Sequence, residues 1–199
     1  MGSRQVRVYV SATADLEAER EVVGEALARF PIPLPWEIRR TPHPGEQSPG
    51  ALRQVRDSDF CLVLLGQDIS APVGAELEAA DRARVPLFAL IKDVALTPAG
   101  RFFRYNSIEK WERFSSALGL KQLVVNYLAD ALAKDPTHYG LSLDEIGSLL
   151  DFLRKARKGK GDGEGAYARA ETVVTGKGPS GAEDAAVIVS PWPRRLCSE

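Results

Sequence analysis

Apolar and polar residues follow two periods in the first half of the chain. Val6, Val8 and Val10 are separated by Arg7 and Tyr9, the two-residue period of a strand. After the turn Ser11-Ala12-Thr13, Leu16, Val23, Leu27 and Phe30 recur at helical spacing, with Val22 and Ala26 widening the stripe. Thr13 can cap this helix. Asp15 and Glu17 fall in its first turn, where negative charge favours the helix dipole. Pro31, Pro33 and Pro35 forbid its continuation.

Trp36 to Arg39 alternates again and predicts a short strand. A loop rich in Pro, His and Gly follows, from Thr41 to Gln47. Ser48-Pro49 then reads as an N-cap with proline at the first helical position, opening a helix to about Asp57. Phe60 to Leu65 is an unbroken apolar run, as expected of a central strand buried on both faces of a parallel sheet. Ala75 to Ala83 predicts a helix and Pro86 to Ile91 another buried strand. Strands alternating with helices argue for an α/β domain with a mostly parallel sheet over residues 4–95. In such sheets ligands bind beyond the carboxyl ends of the strands. The loops to watch are therefore Ser11–Asp15, Thr41–Ser48 and Gly66–Gly74.

The pattern changes after Lys92. Arg101 to Tyr105 is basic and aromatic, and Ser107–Leu118 and Leu120–Ala133 predict helices that part near Gly119. Ser142-Leu143-Asp144-Glu145 has capping-box spacing and opens a helix with Ile146, Leu149, Leu150 and Leu153 on one face. Residues 96–158 thus read as a helical extension. Lys155 to Gly165 is basic and glycine-rich, a linker signal. Glu171–Thr175 and Ala185–Val189 are short β-like stretches, so residues 159–199 read as a linker and hairpin tail.

Composition narrows the class. The 199 residues are 44% hydrophobic and 27% charged, ordinary for a globular protein. The formal charge of −1, from 26 basic and 27 acidic residues, gives no electrostatic footprint for nucleic acid. No apolar run approaches the ~20 residues needed to span a bilayer, so no membrane role is expected. Met1 to Gln5 lead straight into the first strand without a signal-peptide pattern. Cys61 and Cys197 make no disulfide framework, and the expected location is cytoplasmic.

Glu76 is the first candidate for chemistry. A carboxylate near the strand carboxyl ends can stabilise a ribosyl oxocarbenium ion or attack the anomeric carbon. A first-turn glutamate answering the helix dipole explains it equally simply, and spacing alone favours that reading. Backbone N–H groups of Ser11–Asp15 can hold a phosphate at a helix N-terminus, with Ser11 and Thr13 adding hydroxyls; plain capping is the simpler alternative. Asp57 and Asp59 bracket the third strand's entry, and a sugar-hydroxyl contact there is the minority reading. The two histidines, His43 and His138, do not make a metal site, and no Cys or His cluster has zinc spacing. His43 reads first as a solvated loop residue and second as part of the cleft. Gly176–Gly181 lacks the Gly-Lys-Ser/Thr ending of a phosphate loop. Arg101, Arg104 and Lys110 with Phe102, Phe103 and Tyr105 read first as packing onto the sheet, and second as a nucleotide or RNA contact.

Together these residues resemble DUF 4062, an uncharacterised family of the TIR-like clan. The matching features are Val10-Ser11-Ala12-Thr13, Asp15-Leu16 and Glu19-Arg20; then Ser58-Asp59, Phe60 to Leu65 and Gly66; then Glu76, Ala80 and Pro86. They cover Arg4 to Lys92, under half the chain. Ala12 stands where the family usually has a second serine, and Gly66-Gln67-Asp68-Ile69-Ser70 is shorter than the usual loop. Gly74-Ala75-Glu76 also looks like the catalytic region of nucleoside deoxyribosyltransferases, where a glutamate is the nucleophile. A glutamate at a similar place supports NAD cleavage in TIR enzymes.

The resemblance implies a flavodoxin-like, TIR-like three-layer domain. It implies Glu76 as the catalytic candidate and Ser11, Thr13, Asp15, Asp59, Gly66, Ser70 and Gly74 as the ligand-binding set. NAD or a nucleotide is the implied ligand, and protein partners or self-association are implied. Three functions follow as expectations. The first is a nucleotide-binding or signalling module, in bacterial defence or stress signalling. The second is an N-glycosidic-bond enzyme acting on NAD or a nucleoside through Glu76. The third is an assembly scaffold. Fold relatives differ in chemistry, so the site must decide among them.

Overall fold

Strand β1 (Val6–Ala12) pairs on one side with β2 (Trp36–Arg40) and on the other with β3 (Phe60–Leu65). The structure is a computed structural model that describes residues 4–43, 46, 50–107 and 110–161. β4 (Leu87–Lys92) and β5 (Glu112–Phe114) complete the sheet beyond β3. The order is β2-β1-β3-β4-β5, and every neighbouring pair is parallel. This is the flavodoxin-like doubly wound order, with β3 central as the apolar run predicts.

The helices are α1 (Glu17–Ala28), α2 (Ala51–Arg56), α3 (Ala71–Ala83), α4 (Pro98–Ser107), α5 (Ala117–Lys134) and α6 (Leu143–Gly161). They form two layers, because successive strand residues face opposite ways. On one face Val6, Val8, Val10, Phe60, Leu62, Leu64 and Leu90 meet Val23 and Leu27 of α1 and Leu120, Val124 and Leu128 of α5. On the other, Tyr9, Cys61 and Val63 meet Val55 of α2, Val73, Leu77 and Ala80 of α3, and Phe103 of α4. All six β3 residues are buried, since both faces are covered. Burying each leucine fully is worth roughly 1.5–3 kcal/mol, so β3 anchors both layers.

Several expectations need correction. β1 runs two residues past Val10, because Ser11 and Ala12 still pair with Val63 and Leu64 of β3. α3 begins at Ala71, with Ser70 as N-cap and Pro72 in the first turn. Gly74 and Glu76 therefore lie inside the helix, and the loop after β3 is shorter than Gly66–Gly74. Ser107–Leu118 is not one helix. It contains the edge strand β5, which pairs with Leu90, Ile91 and Lys92 of β4.

Residues 96–158 are likewise no appendage to a domain ending at 95. They supply β5 and the helix that covers α1, and their apolar residues share one core with the sheet. Leu149 and Leu153 of α6 join that core, whereas Leu150 faces solvent. α6 continues to Gly161, through the start of the stretch read as a linker. Its start has the predicted capping box: the Ser142 N–H donates to Glu145 Oε2 at 2.8 Å, and the Glu145 N–H donates back to Ser142 Oγ at 3.3 Å. The Ser48-Pro49 helix start and the 171–189 hairpin lie outside the described residues. Among the described residues no helix is long and apolar enough to cross a membrane.

Candidate functional site

The carboxyl ends of β1 and β2 and the helix α3 converge on one carboxylate. Tyr9 and Ser11 are two apart on β1, so their side chains share the face that α3 covers. The Tyr9 hydroxyl donates to Glu76 Oε1 at 2.6 Å. Ser11 Oγ and Thr41 Oγ1 both donate to Glu76 Oε2, each at 2.6 Å. Thr41 follows β2, held by its N–H to the Val10 carbonyl at 3.2 Å, and its hydroxyl accepts the Ala12 N–H at 3.1 Å. Glu76 is 1% exposed. Among the described residues it has no cationic partner, so hydroxyls alone compensate the buried group. Burial pushes the Tyr9 hydroxyl pKa well above its ordinary value, and its bond to Glu76 adds to the shift. Tyr9 therefore stays a donor.

This geometry revises the two simple readings of Glu76. It sits in the second turn of α3, so a first-turn dipole contact does not explain it. Nor is its carboxylate open to a ligand. Its oxygens are engaged by three hydroxyls that tie α3 to the ends of β1 and β2.

Directly above lies a cleft of about 530 Å³. Its walls include Thr13, Arg20, Thr41, His43, Ser70 and Pro72. Thr41 belongs to both places, with its hydroxyl on Glu76 and its residue in the cleft wall. Arg20 is 8% exposed. One of its terminal nitrogens donates to the Ala12 carbonyl and the other to Glu17 Oε2 at 2.7 Å. Its Nε is buried and without a hydrogen-bond partner among the described residues. An unmet buried donor costs about 1–3 kcal/mol, so this one calls for explanation. His43 is half-exposed in the same wall. Its N–H donates to Glu46 Oε2 at 2.8 Å, and its Nδ1 lies 3.8 Å from Glu17 Oε2.

The predicted ligand-binding residues divide. Thr13 and Ser70 line the cleft. Ser11 is buried beneath it on Glu76. Asp15 is exposed and bonded by the Thr13 hydroxyl, and Gly66 abuts it, since a Cβ there would strike the Asp15 carboxylate. Gly74 gives its N–H to the Ser70 carbonyl inside α3 and is not part of this cleft's wall.

Asp59 belongs elsewhere. It precedes β3, at the amino end of the sheet, and accepts from the Arg4 guanidinium at 3.0 Å and the Arg7 N–H at 2.8 Å. It fastens the start of β1 and faces no ligand site at the carboxyl end. The basic aromatic segment also divides: Phe103 packs against Trp111, whereas Phe102 and Tyr105 are 59% and 76% exposed.

Tyr9, Thr41 and Arg20 carry the site without having been singled out for it. Tyr9 shares the two-residue period with Ser11, which is a readable signal. Arg20 falls on the apolar helical stripe between Leu16 and Val23, where a guanidinium needs a buried partner. Thr41 gives no local signal, because its partner Glu76 is 35 residues away.

No family model matches the chain, and no curated protein matches it. Among solved structures, the chain is similar to the sugar isomerase domain of an RpiR transcription factor from Sphaerobacter thermophilus. The two share 17% identity at a TM-score of 0.44, over 78% of this chain and 80% of that one. Likeness at that level transfers neither ligand nor activity.

Proposed function

We propose that the chain is a TIR-like nucleotide-binding or signalling module that binds its ligand in the cleft above Glu76. The observation that carries this reading is the relation of cleft to carboxylate. The cleft lies beyond the carboxyl ends of β1 and β2, against the start of α3, on the side of the sheet where ligands are generally bound in such folds. Glu76 lies beneath it with both oxygens engaged by hydroxyls. A nucleophile needs an oxygen exposed to the reacting carbon, and this carboxylate is buried and does not line the cleft. Its work is to hold the floor in shape, so that Thr41 and the start of α3 present fixed polar groups.

A second reading has one observation in its favour. Thr41 alone is shared between the Glu76 network and the cleft wall, so turning that side chain away would open the carboxylate to a ribosyl carbon. The two readings part on turnover. Purified chain is dialysed against NAD to measure binding, then assayed for released nicotinamide. The module reading expects retained NAD and no nicotinamide. Nicotinamide release that Glu76→Gln abolishes would establish the enzyme instead.

A further inference from the structure

The cleft wall contains a buried guanidinium whose charge is matched by one carboxylate, the partly exposed Glu17. Arg20 is more than nine-tenths buried and its Nε has no partner among the described residues. Facing the same space is the amino end of α3, a helix of 13 residues. Ser70 is its N-cap, with extended backbone, yet the Ser70 side chain makes no capping bond. Pro72 brings no N–H. The first turn of α3 therefore presents backbone donors and the positive end of its dipole, uncapped by any side chain among the described residues, to a cleft that already holds Arg20.

We propose that this corner is an anion subsite that takes the phosphate or pyrophosphate of a nucleotide, between Arg20 and the amino end of α3. This rests on the nucleotide-binding reading above, and it commits that reading to a phosphorylated ligand rather than a nucleoside or free base.

The other charges at the cleft fix how the subsite works. Glu17 holds the outer nitrogen of Arg20 and lies near His43, so its carboxylate occupies the place of the anion when no ligand is there. Glu46 is held by the His43 N–H and lies 3.4 Å from Arg40. Asp15 is exposed and bound by Thr13. An incoming phosphate displaces Glu17 from Arg20, gains the first-turn donors of α3, and leaves Glu17 to water, since that side chain is already 43% exposed. Glu17 is thus a built-in competitor, and removing its charge favours the ligand.

Isothermal titration of the full chain with AMP, adenosine and inorganic pyrophosphate tests this. AMP is expected to bind at least tenfold more tightly than adenosine, and pyrophosphate to compete with AMP. Ser70→Asp keeps or improves the helix cap, because aspartate is a preferred N-cap, but sets a negative charge where the phosphate sits. It should weaken AMP at least tenfold with no loss in Tm. Glu17→Gln should tighten AMP several-fold, the opposite sign. Arg20 also ties down the Ala12 carbonyl, so its replacement risks the fold, and the two variants above decide without it. Equal binding of AMP and adenosine, or AMP affinity unmoved in both variants, overturns the subsite and leaves the nucleotide-binding reading standing. Absence of binding by all three overturns both.

Discussion

The Tyr9 hydroxyl donates a 2.6 Å hydrogen bond to Glu76 Oε1, and both side chains are buried. This contact joins the middle of β1 to the second turn of α3. It also makes the Glu76 carboxylate part of the fold's interior. Tyr9→Phe keeps the ring but strands one carboxylate oxygen, and should cost about 1.5–3 kcal/mol. Glu76→Gln replaces an acceptor of three hydroxyls by a group that must donate on one side, and should cost about 1–3 kcal/mol. For a chain of this size that is a Tm loss of roughly 3–10 °C. Thermal denaturation of both single variants and the double variant checks this. The double variant should lose less than the sum, because the two groups share one bond.

Cys61 supplies a pH prediction. Its thiol is fully buried, and burial pushes its pKa from 9.0 up to about 12, with Glu76 adding a smaller push. The folded state therefore holds the proton more tightly than the unfolded chain. Stability from this group is complete below pH 9.0 and falls as pH rises towards about 12. Tyr9 shifts in the same direction and adds to the loss above its ordinary range. Denaturant titrations at successive pH values should show stability falling by roughly 1 kcal/mol per pH unit per group in this window. Cys61→Ala should flatten the slope that begins near pH 9. The native thiol should also resist alkylation until the chain is unfolded.

Asp59 provides a control at the opposite end of the sheet. Asp59→Ala removes the acceptor of the Arg4 guanidinium and the Arg7 N–H and should cost about 1–3 kcal/mol. Nucleotide affinity in equilibrium dialysis should be unchanged for the folded variant. A tenfold affinity loss at full folding would put Asp59 back among the ligand-binding residues.

Gly100 tests how closely α4 approaches the loop after β3. A Cβ at this position would lie 2.7 Å from the Gln67 carbonyl oxygen, a backbone atom that cannot swing aside. Gly100→Ala should destabilise by about 1–3 kcal/mol. Gly66→Ala meets the end of the exposed Asp15 side chain and, at 3.2 Å, a methyl of the buried Leu16, both side-chain atoms rather than backbone, and should cost less. Comparing their denaturation midpoints checks the ranking.

The sheet was legible in the sequence because its signals are local. The two-residue period of β1 and the apolar run of β3 need no knowledge of the rest of the chain. β5 was missed because three edge residues, Glu112 to Phe114, give no period, and only pairing with β4 makes them a strand. The start of α3 was readable in Ser70-Ala71-Pro72, an N-cap followed by a first-turn proline. Glu76 was found by its position after β3. Its burial was not legible, because it depends on Tyr9 and Thr41, brought together only by the parallel arrangement of β1 and β2. Asp59 reads in the sequence as the boundary at the third strand's entry, and its bonds to Arg4 and Arg7 give it that place in the fold. Here it precedes β3, at the amino end.

The central claim is that a nucleotide sits in the cleft above Glu76, and amide shift mapping tests it most directly. The full chain, labelled with nitrogen-15, is titrated with NAD and the backbone amides are followed. The account predicts saturable shifts at Thr13, Arg20, Thr41, His43, Ser70 and Val73, with Asp59 and His138 at the amino end of the sheet unmoved. Shifts confined to the amino end, or none up to millimolar NAD, would contradict it.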